Sequence, residues 1–192
     1  MRIAIDIDST LHPYWPQLSA AARRRFGIEL PYEEQLTWGI TRLKPEQLQL
    51  CIDETHRDDS ILDSHPYPGA VEAVNAWHAA GHFIHITSHR STGCQSATAE
   101  WLERIGLEHD ELYCSFDKVS RCCEIAIDLL IDDSPHNLEQ AIARGIAAAT
   151  IEHPWNRDVI EEEGIISAPD WPGLAQRLEA GMEPLRRRVA RR

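Results

Sequence analysis

Short apolar runs alternate with amphipathic segments along most of this 192-residue chain. The runs that suit buried strands are residues 2–8, 82–88, 111–114, 128–133 and 146–152. The clearest segments with helical spacing are residues 70–80, 92–105 and 137–144, and a glycine directly follows each of them. This alternation predicts an α/β fold, with a parallel sheet, helices on both of its faces, and residues 146–152 as the last strand.

A segment between the first two predicted strands interrupts the alternation. Its helical patterns lie at residues 17–26, 32–38 and 45–55, and Pro31 and Pro45 separate them. We interpret this segment as a small α-helical cap over the end of the first strand. The predicted division is a core of residues 1–11 and 66–182, a helical cap of residues 12–65 and a basic C-terminal tail of residues 183–192.

Composition excludes several classes of protein. A net charge of −12 has the wrong sign for a general nucleic-acid binder. Since the chain lacks an apolar run of about 18 residues, we expect no membrane span. The N-terminus does not have the basic and apolar regions of a signal peptide, which favours a cytoplasmic protein. The basic stretch 186–192 is expected to be a solvated end, with a contact to an anionic partner as the alternative.

The cysteines predict neither a disulfide framework nor a zinc site. Their number is odd, at five, and no CxxC motif occurs. We therefore expect free thiols and a cytoplasmic setting. The vicinal pair Cys122–Cys123 is interpreted as a buried helical position rather than as a redox or metal site.

Polar residues follow three of the predicted strands. Asp6 and Asp8 end the first strand, residues 87–88 end the second, and the pair Asp132–Asp133 ends the fourth. The carboxyl ends of parallel strands meet at one edge, where such sheets bind ligands. Alternation along the strand would place Asp6 and Asp8 on one face, about 6.6 Å apart.

Two acidic pairs at one buried edge repel each other unless a cation joins them. Mg²⁺ suits carboxylate and carbonyl oxygens and also accepts waters and a substrate phosphate as ligands. The sequence therefore predicts a magnesium site. The alternative is that both acidic pairs only cap their strands in solvent.

These residues together resemble the motifs of the haloacid dehalogenase superfamily of phosphotransferases. "DIDST" at residues 6–10 fits the motif DxDx[TS], "FIHITS" at residues 83–88 fits the second motif, Lys118 fits the third-motif lysine, and "LLIDD" at residues 129–133 fits the fourth. The motifs occur in the right order, and the resemblance spans roughly residues 1–155. It implies a Rossmann-like core with phosphatase chemistry.

The resemblance also implies a role for each motif residue. Asp6 would be the nucleophile that forms an aspartyl-phosphate. Asp8 would be the general acid for the leaving alcohol and then the base for the hydrolytic water. Thr87 would donate a hydrogen bond to a phosphoryl oxygen, and Lys118 would neutralise charge on the nucleophile and the phosphoryl group.

Magnesium would be held by the Asp6 carboxylate, the Asp8 backbone carbonyl and the second acidic pair. Asp133 is favoured as the direct ligand, with Asp132 supporting it. Dehalogenase members of the superfamily do not have the second aspartate of the first motif, so Asp8 favours phosphate chemistry. Ser9 departs from the glycine that is commoner at its position.

The cap together with "PYPGA", "ITSHR", "IDDSP" and "HPWNR" resembles the cytosolic type C 5′-nucleotidases and their deoxyribonucleotidase-like relatives. This resemblance implies a (deoxy)nucleoside monophosphate as the substrate. Trp15 and Trp38 are predicted to contact the nucleobase, although the cap aromatics could instead pack its own small core. Ser88 and Arg90 are predicted to reach the phosphate; a solvent-facing Arg90 is the alternative.

Other functions stay open at this point. The substrate could be a sugar phosphate or another small phosphorylated metabolite, or the chain could be a non-catalytic ligand-binding or regulatory protein. The intact set of Asp6, Asp8, Lys118 and the second acidic pair favours an enzyme, because a binding protein does not need a general acid. The sequence leaves the base, the sugar and the oligomeric state open.

Overall fold

The computed structural model describes residues 1–115 and 117–189 and contains a parallel sheet of six strands. The strands are β1 (Arg2–Asp6), β2 (Phe83–Ser88), β3 (Glu111–Cys114), β4 (Leu129–Ile131), β5 (Ala147–Ile151) and β6 (Ile166–Ala168). Their order across the sheet is β3-β2-β1-β4-β5-β6, and every neighbouring pair is parallel. The predicted α/β fold with a parallel sheet is confirmed.

Helices connect the strands. In the described part of the chain they are α1 (Trp15–Phe26), α2 (Pro45–Thr55), α3 (Asp58–Leu62), α4 (Ala70–Ala79), α5 (Gln95–Arg104), α6 (Lys118–Glu124), α7 (Pro135–Ala143), α8 (Arg157–Glu163) and α9 (Trp171–Val189). Short 3₁₀ turns lie at Tyr32–Glu34, Thr92–Cys94 and Pro154–Asn156. In the described residues, no helix combines the length and the apolar character that a membrane span requires.

Side chains of β1 alternate between two hydrophobic layers. Ile3 and Ile5 belong to the layer that α4, α5 and α9 cover, whereas Ala4 belongs to the layer of α6 and α7. Since successive side chains of a strand point to opposite faces, Asp6 follows Ala4 towards the α6 side. This alternation explains why the Asp6 carboxylate, at the end of a largely apolar strand, lies on the face of the sheet that α6 covers.

The strand order places the end of β1 at the centre of the sheet. β2 pairs with one side of β1, with Thr87 opposite Asp6, and β4 pairs with the other side, with Ile131 opposite Ile5. The chain therefore reverses its direction of winding at β1, and open α/β sheets bind ligands beyond the strands at such a reversal.

Helices α1 to α3 lie between β1 and β2 in sequence, where the cap was predicted. Trp15, Leu18 and Cys51 form a small hydrophobic cluster there, and Trp155 from the segment after β5 packs into the same cluster. Burial of these apolar side chains contributes a few kilocalories per mole, and it stabilises the packing of these helices against the sheet edge on which Asp6 lies.

Three predictions about elements are wrong. The run at 146–152 is not the last strand, because β6 follows it at the sheet edge; at three residues, β6 is too short to show an alternating pattern. The predicted helix at 32–38 is a single 3₁₀ turn, Tyr32–Glu34. The first strand ends at Asp6 rather than at Asp8, which lies in the following turn.

At the C-terminus, the backbone of α9 remains helical to Val189, within the segment predicted to be a basic tail. Residues 190–192 of that predicted tail lie outside the described residues. The vicinal cysteines both lie on α6, where Cys122 is buried and Cys123 is exposed, and all five cysteines are free thiols.

Candidate active site

Three buried carboxylates meet beyond the ends of β1 and β4. Asp6 is the last residue of β1, and Asp132 and Asp133 directly follow β4. Each of them offers one carboxylate oxygen, and these oxygens all lie within 4.8 Å of one another. The structure thus brings together the side chains of three of the four aspartates that were predicted as metal ligands.

Lys118 lies among these acids. It is the first residue of α6, and its Nζ donates to Oδ1 of Asp6 at 2.5 Å and to Oδ2 of Asp132 at 3.0 Å. Burial by itself would lower the pKa of Lys118, but the carboxylates of Asp132 and Asp6 raise it above the ordinary value for lysine. The amine is therefore a fixed positive charge beside the end of β1.

One lysine does not neutralise three carboxyl groups. Burial raises the pKa of Asp6 to about 7, with repulsion from Asp132 and Asp8 acting in the same direction and Lys118 acting against it. Burial, together with Asp6 and Asp132, raises the pKa of Asp133 well above its ordinary value. Carboxylate oxygens with an excess of negative charge are the donor set that Mg²⁺ prefers, so these residues fit such an ion.

The two adjacent acids after β4 have different surroundings. Asp132 accepts hydrogen bonds from Lys118, from the backbone N–H of Ser134 at 2.9 Å and from Nδ2 of Asn137 at 3.1 Å. In the described residues, no side chain donates a hydrogen bond to the carboxylate of Asp133. Its backbone carbonyl accepts from Asn156 at 3.3 Å, which holds the loop in place. Asp133 thus keeps its carboxylate available, and Asp132 is engaged by its neighbours.

Asp8 lies outside this group of three and points towards a second set of residues. Its Oδ1 is 2.8 Å from Nε2 of His12 and 2.7 Å from Nη2 of Arg90, and Oδ2 is 3.6 Å from Nε2 of His56. Burial would raise the pKa of Asp8, but Arg90 and hydrogen bonds with the two histidines hold it well below the ordinary value. Asp8 is therefore ionised in the resting protein.

Arg90 is 1% exposed, so the alternative of a solvent-facing arginine is wrong. Its Nε donates to Oδ2 of Asp8 at 3.2 Å, and Nη1 donates to the hydroxyl of Thr98 at 3.2 Å. The Ser88 hydroxyl accepts a hydrogen bond from the backbone N–H of Arg90 at 3.2 Å. The guanidinium group thus holds Asp8 in position, and the contact of Ser88 and Arg90 with phosphate stays a prediction.

Thr87 lies beside Asp6 at the end of β2. The side chain is fully buried, and its hydroxyl has no hydrogen-bond partner in the described residues. A buried hydroxyl without a partner is costly, and a ligand oxygen at this strand end would satisfy it. The position is compatible with the role that the resemblance implies.

A pocket of about 410 Å³ connects the acid cluster to the helices between β1 and β2. Trp15 and Trp38 both line it, with side chains that are 8% and 48% exposed, and Trp155 joins them from the core. The ring centroids of Trp15 and Trp155 are 5.5 Å apart. Trp15 also packs in the hydrophobic cluster that α1 and α2 form with Trp155, which agrees with the alternative that the aromatic residues of this segment pack a small core. Contact of either predicted tryptophan with a base stays a prediction.

Several residues of this site were missed at the level of the sequence. The pocket is also lined by Gln35, His56, His89, Ser134 and Trp155, and Nε2 of His12 lies 2.8 Å from Oδ1 of Asp8. His12 follows Asp8 by four residues, which is a spacing that could have indicated the contact. His56 and Gln35 come from distant parts of the chain and carry no such signal. Burial lowers the pKa of His89 to about 4, so this imidazole is neutral at the pocket.

The turn after β1 uses an uncommon backbone conformation. Ser9 has a φ of 63°, in the left-handed region that favours glycine. Its carbonyl accepts from Nε2 of His153 at 2.7 Å, and Nδ1 of His153 lies 2.7 Å from the hydroxyl of Tyr32. Because the Ser9 carbonyl can only accept, the Nε2 atom carries the proton and Tyr32 donates to Nδ1. The departure from glycine at this position is therefore accommodated, at a conformational cost.

Comparison with known proteins agrees with this geometry. The model of the family described as "5′ nucleotidase, deoxy (Pyrimidine), cytosolic type C protein" matches residues 1–177. A Chlorobaculum tepidum protein that carries the provisional name 5′(3′)-deoxyribonucleotidase is 24% identical over 196 residues, which cover 93% of this chain and 90% of that protein.

Solved structures show the same fold at lower identity. A HAD family hydrolase from Deinococcus radiodurans with bound phosphate and sodium superposes with a TM-score of 0.67 at 15% identity and covers 96% of each chain. The D,D-heptose 1,7-bisphosphate phosphatase of B. bronchiseptica, complexed with magnesium and phosphate, gives a TM-score of 0.57 at 12% identity, covering 94% of this chain and 98% of that one. Both similarities concern the fold alone.

Proposed function

Since the chain belongs to the cytosolic type C 5′-nucleotidase family, and is thus a hydrolase of the haloacid dehalogenase phosphatase type, we propose that it is a magnesium-dependent 5′-nucleotidase acting on (deoxy)nucleoside monophosphates. The observation that carries the proposal is one pocket that two unlike sets of residues line. Asp6, Asp133 and Lys118 form the charged set, and Trp15 and Trp38 belong to the aromatic set. A phosphate ester whose leaving alcohol carries a flat aromatic base matches both sets.

The metal would be held by the carboxylates of Asp6 and Asp133 and by the backbone carbonyl of Asp8. When bound, Mg²⁺ offsets the negative charge of the phosphate and orients it. Asp132 would not ligate directly, because Lys118, Ser134 and Asn137 engage its oxygens.

In the proposed reaction, a carboxylate oxygen of Asp6 attacks phosphorus and the bond from phosphorus to the leaving oxygen breaks. Asp8 gives its proton to that oxygen, which leaves as the nucleoside hydroxyl. A water deprotonated by Asp8 then attacks the aspartyl-phosphate, releasing inorganic phosphate and restoring both carboxyl groups. Lys118 compensates charge on Asp6 throughout, and Thr87 donates its otherwise unpartnered hydroxyl to a phosphoryl oxygen.

The first step requires a protonated Asp8, although Arg90 and His12 keep it ionised in the resting protein. Substrate binding would cause the protonation of Asp8. A phosphate dianion brought close to Asp8 raises its pKa by like-charge repulsion, so the proton arrives with the substrate. Once the leaving group has taken this proton, Arg90 and His12 favour the ionised form of Asp8, which the activation of water requires.

Residues 12–65 would act as the cap that encloses the leaving group. In support, Trp15, Trp38 and His56 come from this segment and line the same pocket as Asp6. Enclosure excludes water from the phosphoryl group and strengthens the electrostatic interactions around it.

The test is phosphate release from nucleoside monophosphates, with sugar phosphates and phosphoglycolate as competing substrates, in the presence of Mg²⁺ or EDTA. We expect nucleotide hydrolysis that requires Mg²⁺ and is lost in Asp6→Asn. The matched control is Asp63→Asn, which changes an exposed aspartate. Equal turnover of sugar phosphates and nucleotides would contradict the nucleotidase proposal, and a normal rate in Asp6→Asn would contradict the assigned nucleophile.

A further inference from the structure

Gln35 is a buried polar residue of the pocket for which the proposed reaction has no role. It follows the 3₁₀ turn Tyr32–Glu34 and lines the pocket next to Trp38 and Ile40. Its side chain is 9% exposed. A buried amide surrounded by apolar groups is retained at a cost unless its donors and acceptor find partners.

Two backbone carbonyls determine which way this amide points. Nε2 donates to the carbonyl of Thr37 at 2.6 Å and to the carbonyl of Gly39 at 3.0 Å. An amide nitrogen has two hydrogens, so both donors are engaged, and the opposite orientation would place Oε1 against two acceptors. The orientation of the amide therefore follows from its own contacts.

The amide oxygen is left available. In the part of the chain that the structure describes, no donor makes a hydrogen bond to Oε1 of Gln35, although its Nε2 makes two. The pocket thus contains an oriented acceptor in a wall that also includes the indole rings of Trp38 and Trp155, whose centroids are 6.4 Å apart. An acceptor that is held in position discriminates well between ligands with and without a matching donor, because its orientation is set before the ligand binds.

We propose that Oε1 of Gln35 accepts a hydrogen bond from an N–H group on the edge of the substrate's nucleobase, which makes Gln35 a specificity-determining residue. The proposal rests on the proposed nucleotidase function. The donor can be a ring imide N–H, as in uracil or thymine, or an exocyclic amine, as in cytosine. A base without such a donor would remove water from this oxygen without giving it a hydrogen bond in return, and a site built for a hydrogen bond rejects such an analogue strongly.

The experiment compares substrates that differ by one donor. The first arm measures kcat/KM for 2′-deoxyuridine 5′-monophosphate and for its N3-methyl derivative. The second arm measures the same quantity for 2′-deoxycytidine 5′-monophosphate and for its N4,N4-dimethyl derivative. We expect the unmethylated substrate to be preferred by about 10- to 100-fold in the arm whose donor Gln35 binds, since that is the usual range for one neutral hydrogen bond at a buried site.

The variant Gln35→Leu tests whether this preference belongs to the amide oxygen. Leucine ends one atom short of Oε1 and leaves room for the added methyl group. We expect the preference to fall to within about threefold of unity, whatever happens to the overall rate, because the discriminating acceptor is gone. A variant that only loosens the loop slows both substrates equally and keeps their ratio.

The matched control is Gln17→Leu. Gln17 donates from Nε2 to the hydroxyl of Ser64 at 2.9 Å and does not line the pocket. This variant should keep the wild-type preference. If Gln35→Leu does not fold, as judged by circular dichroism, Gln35→Met is measured in its place.

Two results separate this proposal from the one on which it rests. Turnover of nucleotides with no preference in either arm, or with a preference that survives in Gln35→Leu, overturns the role of Gln35 and leaves the nucleotidase proposal standing. If the wild-type protein hydrolyses none of the four nucleotides but does hydrolyse another phosphate monoester with Mg²⁺, the nucleotidase proposal itself fails.

Discussion

Nη2 of Arg90 lies 2.7 Å from Oδ1 of Asp8, although 82 residues separate the two in sequence. The arginine side chain is 2% exposed and the aspartate side chain 18% exposed, so the pair is largely removed from water. Loss of one partner from a buried pair leaves the other charge without compensation, which costs more than the pair itself contributes.

We therefore expect Arg90→Met to lower the free energy of unfolding by about 2–4 kcal/mol, since Asp8 would keep only its histidine contacts and partial access to solvent. Urea denaturation at pH 7.5 measures the effect. The control is Arg104→Met, because Arg104 is 55% exposed and pairs with an exposed Glu100 one helical turn away. That change should alter stability by less than about 0.5 kcal/mol. Equal effects of the two substitutions would contradict the buried pair.

Magnesium binding should strengthen as pH rises. Burial and mutual repulsion raise the pKa of Asp6 to about 7, and the pKa of Asp133 is raised as well. Because both groups must lose their protons to ligate, binding releases protons and the Mg²⁺ affinity is higher at pH 8 than at pH 6. Isothermal titration calorimetry at the two pH values measures this difference.

With a pKa of about 7, deprotonation of Asp6 by itself makes Mg²⁺ binding about 10-fold tighter at pH 8 than at pH 6, and the raised pKa of Asp133 adds to this difference. The variant Asp133→Asn removes one titrating ligand and should weaken binding while reducing its pH dependence. Exposed Asp63→Asn should change neither quantity. An affinity that is independent of pH in the wild-type protein would argue against a site made of these acids.

His153 should make the protein sensitive to mild acid. Burial lowers its pKa from 6.5 to about 4, although the hydrogen bond to the Ser9 carbonyl acts in the opposite direction. The unfolded chain therefore takes up a proton near pH 6.5, whereas the folded protein does not until about pH 4, so stability falls as pH falls between these values.

Protonation of this one histidine should lower the free energy of unfolding by about 2 kcal/mol between pH 7.5 and pH 5. Thermal unfolding of the wild-type protein and of His153→Gln at both pH values isolates the contribution of His153 to this loss of stability. Other groups titrate equally in the two proteins, so the variant should lose less stability on acidification than the wild type does. If the two proteins lose the same amount, His153 does not titrate as its burial indicates.

Ser9 carries a conformational cost that glycine would remove. At a φ of 63°, a residue with a Cβ atom is destabilised by about 1 kcal/mol relative to glycine. We expect Ser9→Gly to unfold at a higher urea concentration than Ser9→Ala, which loses the hydroxyl but keeps the Cβ atom. The comparison of the two variants separates backbone strain from any role of the hydroxyl, and equal midpoints would show that the turn is not strained.

Much of the fold could be inferred from local patterns. The strand at Glu111–Cys114 and the helix at Pro45–Thr55 have the predicted bounds, and the glycines after α4 and α5 mark where those helices stop. These elements are long enough, or well enough delimited, for their periodicity to be visible. β6 has three residues and the turn at Tyr32–Glu34 has three, which is too few for a period to be recognised.

The motif residues at the predicted site were recognisable for a related reason. In a parallel sheet, residues at or just beyond the carboxyl ends of neighbouring strands must lie at one edge, so Asp6, Thr87 and Asp133 could be assigned to a common site from their positions alone. The sequence by itself determined the fold class, the family resemblance and the acidic residues of the pocket.

Only the tertiary structure decided what surrounds those residues. Arg90 could have faced the solvent or the phosphate, and its burial against Asp8 depends on packing with Thr98 and His12. Gln35 is oriented by two carbonyls of its own loop, and it lines the same pocket as Asp6 although 29 positions separate the two in the sequence. Such contacts join residues far apart in the chain through side-chain packing, and no periodicity or spacing in the sequence encodes which of them will meet.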